Sequence, residues 1–180
     1  LYPNLEIKTI GGKTFYIIDN DFSYRAYDNL TERQIKNAGS FIPSIGYYFN
    51  KLKSRKTNPT EKYLTQVKAF DAIFQYGYMY NLVLGKKWFT TIGAHPGIGI
   101  NNSKSYFYED AIEEQSIIES THLNLNLDLN FALGYNNKNT FAGIKMNFRD
   151  YQYDSSKTAE LINSKLSFDF FLGYRFNEVK

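Results

Sequence analysis

The amino-acid sequence predicts an all-β protein, an antiparallel transmembrane β-barrel, and three observations lead to that prediction. Apolar and polar side chains alternate along extended stretches, aromatic residues are abundant, and short turns alternate with long polar segments. Alternation puts one class of side chain on each face of a strand, whereas a helix would mix both classes around its circumference. The 180 residues predict a single domain, because one domain holds roughly 150 residues.

The composition excludes several classes of protein. Aromatic residues make up 18% of the chain, with 16 Tyr and 15 Phe, yet the mean hydropathy is −0.45. A chain that is both this aromatic and this polar must separate the two kinds of side chain in space. The net charge of +3 is small and dispersed, so no nucleic-acid partner is expected. The lack of Cys excludes disulfides and thiolate metal sites, and no apolar run is long enough for a membrane helix.

The clearest predicted strand covers residues 121–135. One of its faces is apolar: Leu123, Leu125, Leu127, Leu129, Phe131, Leu133 and Tyr135. The opposite face is polar or small: His122, Asn124, Asn126, Asp128, Asn130, Ala132 and Gly134. Weaker forms of the same pattern predict the remaining strands, in chain order at residues 8–18, 22–29, 40–50, 70–84, 88–100, 142–148 and 166–176. The sequence therefore predicts about eight strands.

The connections between these strands alternate in length. Residues 85–87 and 136–139 are tight turns, whereas residues 51–68, 101–117 and 152–164 are long and polar. In an up-and-down sheet this alternation puts every tight turn at one end and every long loop at the other. Short turns at one end and long loops at the other are typical of outer-membrane barrels.

The sizes of the side chains predict which face points outward. Amide and small residues fit the concave inside of a barrel, and large apolar residues fit the convex outside, where lipid receives them. A soluble lipocalin-like barrel is the alternative, but its narrow interior would have to hold about thirty large side chains. Aromatic residues at strand ends, among them Trp88 and Tyr135, suit the membrane interface. Outer-membrane lipid is thus the expected partner, and the bacterial outer membrane the expected location.

Closure follows from hydrogen bonding. A bare N–H or C=O group in hydrocarbon costs several kcal/mol, so a sheet in a membrane cannot leave an edge unpaired. The strands of this chain must therefore close on themselves or on further strands.

Two stretches near the N-terminus resemble a known family. Residues 21–27 read DFSYRAY and residues 31–41 read TERQIKNAGSF, and this motif is similar to one in Gram-negative outer-membrane proteins catalogued as domain of unknown function four-four-two-one. Asn37 departs from it, since the family usually has Ser there. The residues that carry the resemblance are Tyr24, Arg25, Glu32, Arg33, Gln34 and Ser40.

The segments 76–89 and 173–176 are also similar to the C-terminal half of that family. The resemblance implies an outer-membrane location and a barrel of about twelve strands, of which this chain would be the C-terminal part. It implies no activity.

Two local expectations concern the N-terminal region. Counting strands back from Phe176 at the periplasmic side puts residues 30–38 at the periplasmic end and residues 19–21 outside. Thr31-Glu32-Arg33-Gln34 has the form of a capping box that opens a short helix. The alternative is a polar turn whose side chains pair with groups at the strand ends.

A polar cluster is expected on the inner face of the barrel. It comprises His122, Asn124, Asn126, Asp128, Lys145, Arg149, Asp169 and Arg175. Because buried charges must be paired, we expect these residues to fill the interior with hydrogen-bonded pairs. A solute path and a ligand site are the alternatives. The aromatic and acidic segment 101–117 is expected to be solvated, with partner or saccharide binding as its alternative.

The sequence indicates no enzyme, no cofactor and no metal site. His95 and His122 are the only histidines, both are predicted to face inward, and no nucleophile motif is present. The expected function is a structural or partner-binding outer-membrane component with a filled lumen, in contact with other outer-membrane proteins. A narrow porin-like pore for small solutes and a lipid-acting enzyme are the alternatives.

Overall fold

The computed structural model describes residues 5–29, 32–54, 63–109, 114–153 and 161–176. Over these ranges the chain forms seven strands and one short helix. The elements are β1 (Leu5–Phe15), α1 (Tyr24–Asp28), β2 (Ala38–Ser54), β3 (Tyr63–Leu84), β4 (Trp88–Glu109), β5 (Glu114–Asn136), β6 (Thr140–Tyr153) and β7 (Leu161–Tyr174).

The strands form one sheet in sequential order, and every neighbouring pair is antiparallel. This confirms the all-β, antiparallel class. The sheet curves into a half-barrel, and within the described residues it is open, with β1 and β7 at its edges. Gly85 occupies the tight β3–β4 turn with a φ of 80°, a conformation that residues with a side chain rarely adopt.

The two faces of the sheet differ as the alternation predicts. On β5 the Leu125 side chain is 67% exposed on the convex face, whereas Asn124 and Asn126 are 5% and 4% exposed on the concave face. On β3, Tyr78 is 43% exposed. The large apolar side chains therefore lie on the outside of the curve, and the amides lie inside it.

The predicted strand over residues 22–29 is wrong, and the described residues form seven strands rather than about eight. Residues 24–28 form α1 instead, because the Ser23 hydroxyl accepts a hydrogen bond from the Ala26 N–H at 3.1 Å and caps the helix. The helix is short. Among the described residues, no helix has the length and apolarity needed to cross a bilayer.

The prediction that residues 19–21 lie at the outer end of the sheet, opposite the tight turns, is also wrong. After β1, the chain continues along β2, where the Tyr16 and Ile18 N–H groups donate to the Pro43 and Phe41 carbonyl oxygens at 3.0 and 3.2 Å. The Asp19 N–H then donates to the Ser40 hydroxyl at 2.9 Å. Residues 19–21 thus lie at the same end of the sheet as the tight turns.

The strands reach further into the polar segments than predicted. Most of the segment 101–117 belongs to β4 and β5, which remain paired there through polar contacts. The Lys104 ammonium lies 2.6 Å from the Glu119 carboxylate, and the Ser103 and Ser120 hydroxyls are 3.0 Å apart. Such cross-strand pairs extend a strand without any apolar alternation, so hydropathy alone does not reveal them.

Candidate functional site inside the half-barrel

The segment between β1 and β2 folds back onto the concave face. We call its described residues 22–29 and 32–34 the plug. Phe22 and Tyr27, each 3% exposed, pack with Ile42, Met79 and Ala132 of the sheet. A second apolar cluster joins Ala26 to Phe89, and the plug is buried at these two apolar areas of the concave face.

Tyr27 joins the plug to β5 and β6. Its hydroxyl donates to the Asn147 side-chain oxygen and accepts from the Asn130 side-chain amide at 2.9 Å. The Lys145 ammonium lies 5.5 Å from the Tyr27 ring centroid and donates to the Asp28 carbonyl oxygen at 2.9 Å. The helix is thus held by hydrogen bonds as well as by packing.

Asn81 joins the plug to β3 on the other side. This side chain is fully buried, and its amide donates to the Ser23 carbonyl oxygen at 3.0 Å and to the Gln34 side-chain oxygen at 2.9 Å. The Thr91 hydroxyl donates to the Asn81 side-chain oxygen at 2.5 Å. Gln34 in turn donates to the Asp21 carbonyl oxygen at 2.8 Å. The plug therefore spans the concave face from β3 to β6.

The residues of the family motif build the plug. The Glu32 carboxylate accepts from the Ser23 hydroxyl at 2.7 Å and lies 3.2 Å from the Arg25 guanidinium. The Tyr24 ring lies 4.7 Å from that of Phe15, between centroids. The contacts of Glu32 tie the helix to the segment that follows it, and the ring contact ties it to the end of β1.

The remaining motif residues have different positions. Ser40 is buried at the start of β2, and Arg33 is exposed. Thr31 lies outside the described residues, and residues 32–37 contain no helix. The expected helix after residue 31 is therefore wrong, since Glu32 pairs with the capping residue of α1, the helix that precedes it.

A charged row crosses four adjacent strands on the concave face. His95, Asp128, Arg149 and Lys165 occupy directly paired positions on β4, β5, β6 and β7. The Asp128 side chain, only 6% exposed, lies 3.0 Å from the Lys13 ammonium and 3.5 Å from Arg149 Nε. The contact with Lys13 runs from β1 to β5, so the curvature of the sheet brings distant strands together.

The structure divides the eight predicted inner-face residues into groups. Lys145 contacts the carboxylates of Asp28 at 3.4 Å and Asp169 at 3.9 Å. Asp128, Lys145 and Arg149 line one central cavity of about 330 Å³. His122 and the Asn124–Asn126 pair lie further from the tight turns.

Arg175 lies at the opposite end. Its guanidinium donates to the Asn136 side-chain oxygen at 3.2 Å and to the Asn137 carbonyl oxygen at 2.9 Å. It therefore belongs to the turn between β5 and β6 rather than to the central cavity.

Sequence reasoning missed Lys13 and Lys165, and it predicted that His95 faces inward without including it in the polar cluster. All three line the cavity, but none of them stands in a motif. Their signal is the strand register, since His95 and Lys165 lie in the same row as Asp128 and Arg149. Tyr27 was missed as a buried residue because residues 22–29 were predicted to be a strand.

Gly77 makes room for His95. A Cβ atom at this position would lie 1.9 Å from His95 Cδ2 and 2.8 Å from the Ala94 carbonyl oxygen. Real Cβ atoms do not approach other atoms that closely, so only glycine lets the imidazole lie over β3. The small residue here positions a larger neighbour on the concave face.

Two polar atoms of the cavity residues have no hydrogen-bond partner among the described residues. They are His95 Nδ1 and Asp128 Oδ1. No group of three or more His, Asp or Glu residues in the described ranges is placed to hold a metal ion. The arrangement is therefore suited to hydrogen bonding and charge pairing with a polar molecule.

The plug tyrosines should make stability fall at alkaline pH. Burial raises the pKa of Tyr24 to about 12, with the Asp28 carboxylate adding to the rise and Arg149 opposing it. Burial likewise raises the pKa of Tyr27. A phenol ionises near pH 10 in the unfolded chain, so the folded state holds the proton more tightly. The stabilisation is full below about pH 10 and is lost as the pH rises through about 12.

We therefore expect the difference in unfolding free energy between the wild type and Tyr24→Phe to stay constant up to about pH 10. Above that pH the wild type should lose stability relative to the variant. Urea unfolding at a series of pH values measures the unfolding free energies of the wild type and the variant. A difference that stays constant over the whole series would contradict the burial of this phenol.

One comparison with known proteins gives a match. A family model described as "Domain of unknown function (DUF4421)" matches residues 1–176. No curated protein and no solved structure matches the chain.

Proposed function

We propose, for this chain, which belongs to the DUF4421 family, a structural or partner-binding role in the bacterial outer membrane, as a β-barrel component whose interior is filled by its own plug. The description of the family names no activity, so the proposal depends on the geometry of the sheet. The single observation that carries it is the apolar convex face opposite a polar, buried concave face.

The convex face supports the membrane location. Leu123, Leu125 and Phe168 are 73%, 67% and 60% exposed, although water is the least favourable surrounding for such side chains. A continuous apolar surface of this kind marks a membrane or protein contact. Aromatic side chains flank it at the tight-turn end, where the Trp88 and Tyr135 rings lie 5.1 Å apart.

The open edges support closure with further strands. Six antiparallel pairings separate β1 from β7, so these two edge strands run in the same direction. Direct closure, or pairing with a second copy in the same membrane orientation, would make a parallel junction. An odd number of additional strands closes the barrel with antiparallel pairs throughout. A total of about twelve strands meets this condition.

The plug supports a filled lumen over a pore. It contacts β3 through Asn81 and β5 and β6 through Tyr27. Its hydrogen bonds satisfy the buried Asn81 amide, whose N–H groups would otherwise be left unpaired at a cost of about 1–3 kcal/mol. An element bound this way blocks solute passage and leaves the strand ends and edges for partners, including other outer-membrane proteins.

Fractionation and conductance test the proposal. The protein, produced in a Gram-negative host, should sediment with the outer membrane and resist extraction by carbonate. In planar bilayers the wild type should give no channel events, whereas a variant lacking residues 19–36 should conduct. Recovery of a detergent-free soluble monomer would refute the membrane location. Channel events from the wild type would favour the narrow pore over the filled lumen.

A further inference from the structure

We propose that the central cavity binds a small hydroxylated phosphate ester of the sugar phosphate class. The inference requires the observed sheet and plug but no membrane insertion. The volume of the cavity, about 330 Å³, falls in the range of small-molecule sites.

The first argument is charge. The cavity is lined by the cations Lys13, Lys145, Arg149 and Lys165, and by the carboxylates Asp28 and Asp128. A third carboxylate, Asp169, lies 3.9 Å from Lys145. Among these described side chains four are positive and three are negative, and the sheet forms one wall of the site. Such a site favours an anion.

The second argument is the juxtaposition of two cations. Arg149 and Lys165 are directly opposite each other on β6 and β7, and like charges at opposed positions destabilise a sheet. Lys165 has no carboxylate partner among the described residues. An anion between the two side chains reduces this repulsion, and guanidinium and ammonium groups both form charge-assisted hydrogen bonds with phosphate.

The third argument is a pair of polar atoms without a hydrogen bond. His95 Nδ1 has no hydrogen-bond partner in the described part of the chain, and Asp128 Oδ1 has only the ionic contact with Arg149 Nε at 3.5 Å; both residues line the cavity. A carboxylate oxygen needs a donor, and the fully ionised phosphate group of a monoester offers none, so another hydroxyl of the ligand must supply it. A ligand with hydroxyl groups satisfies this oxygen and the imidazole together. The requirement for both hydroxyls and an anion points to a phosphate ester.

The aromatic wall is consistent with a sugar. The rings of Tyr24 and Tyr27 line the cavity and lie 5.5 Å apart, edge to face. The half-buried Tyr24 ring presents an apolar surface to the C–H groups of a sugar, while amides such as Asn130 hydrogen bond its hydroxyls. The cavity opens on the concave side, away from the apolar face. A dissolved molecule therefore reaches it, rather than a lipid headgroup.

Calorimetric titration of the full chain, folded in detergent micelles, tests the proposal. Glucose 6-phosphate should bind saturably and more tightly than inorganic phosphate, and glucose should give no binding. Lys165→Glu should weaken glucose 6-phosphate binding by about tenfold or more, since it replaces a charge-assisted bond with repulsion. The same change creates an opposite-charge pair with Arg149, so folding should be kept or improved.

Lys86→Glu is the matched control, because it makes the same charge change at an exposed position in the β3–β4 turn. Its affinity should equal that of the wild type. Asn147→Asp is the second variant. It keeps the oxygen that accepts from Tyr27, preserves the side-chain shape and adds a negative charge to the cavity wall, so it should also weaken binding.

Three results would overturn the proposal. These are no saturable binding by the wild type, equal losses in Lys165→Glu and Lys86→Glu, or unchanged affinity in both cavity variants. Membrane location is measured separately by fractionation. A failure to bind the sugar phosphate therefore leaves the proposed function unaffected, and a failure of the fractionation test leaves the proposed binding site unaffected.

Discussion

Replacing Leu129 by Arg is expected to lower the free energy of unfolding in lipid vesicles by about 2–4 kcal/mol. Leu129 lies on the convex face of β5, 40% exposed, midway between Leu123 and Tyr135. At about 3.3 Å per residue and a tilt of about 40°, that stretch spans roughly 30 Å of membrane. An Arg at its centre puts a charge where hydrocarbon surrounds the barrel.

Ile117→Arg is the matched control for this substitution. Ile117 lies on the same strand and the same face, is 55% exposed and is two residues from Glu119, beyond the apolar stretch. We expect a change within about 0.5 kcal/mol there. Urea unfolding of both variants, reconstituted in vesicles and followed by Trp88 fluorescence, gives the two values. Equal small effects at both positions would show that the convex face does not contact lipid.

Replacing Tyr27 by Ala is expected to destabilise the protein by about 3–5 kcal/mol. The side chain is 3% exposed, contacts the apolar area around Met79 and hydrogen bonds Asn130 and Asn147. The substitution leaves a cavity and removes one hydrogen bond each from Asn130 and Asn147, which still bond each other. Tyr27→Phe keeps the packing and removes only the hydroxyl, so it should cost about 1–3 kcal/mol.

Tyr16→Ala serves as the control for the plug, since Tyr16 precedes it and is 69% exposed. Its effect should lie within about 0.5 kcal/mol. The same urea unfolding experiment compares the three variants. If Tyr27→Ala unfolds at the same urea concentration as the wild type, the plug does not contribute to the stability of the sheet.

The strands were predictable because their signal is local. Alternation between Leu125 and Asn126 depends only on the geometry of an extended backbone, in which neighbouring side chains point to opposite faces. The same rule predicted that Tyr78 lies outside. It failed over residues 22–29, where Phe22 and Ala26 are spaced by four residues, as on one face of a helix. A weak strand pattern and a short capped helix are hard to distinguish over so few residues.

The cavity was only partly predictable. Asp128, Arg149 and Lys145 stand out as charges on an inner face, so their grouping follows from alternation and strand order. Lys13 does not, because its contact with Asp128 joins β1 to β5 and depends on how strongly the sheet curves. Nor does Tyr27, whose place against Asn147 depends on a chain reversal that no local pattern encodes.

The sequence by itself determined the antiparallel all-β class and the side of the sheet on which the apolar residues lie, because a two-residue period separates the two faces and the size of the side chains assigns the large ones to the convex side. Only the tertiary structure decided the number of strands, the open edges and the plug. These depend on which distant segments meet, and that is settled by packing and by the pairing of buried polar groups across the sheet.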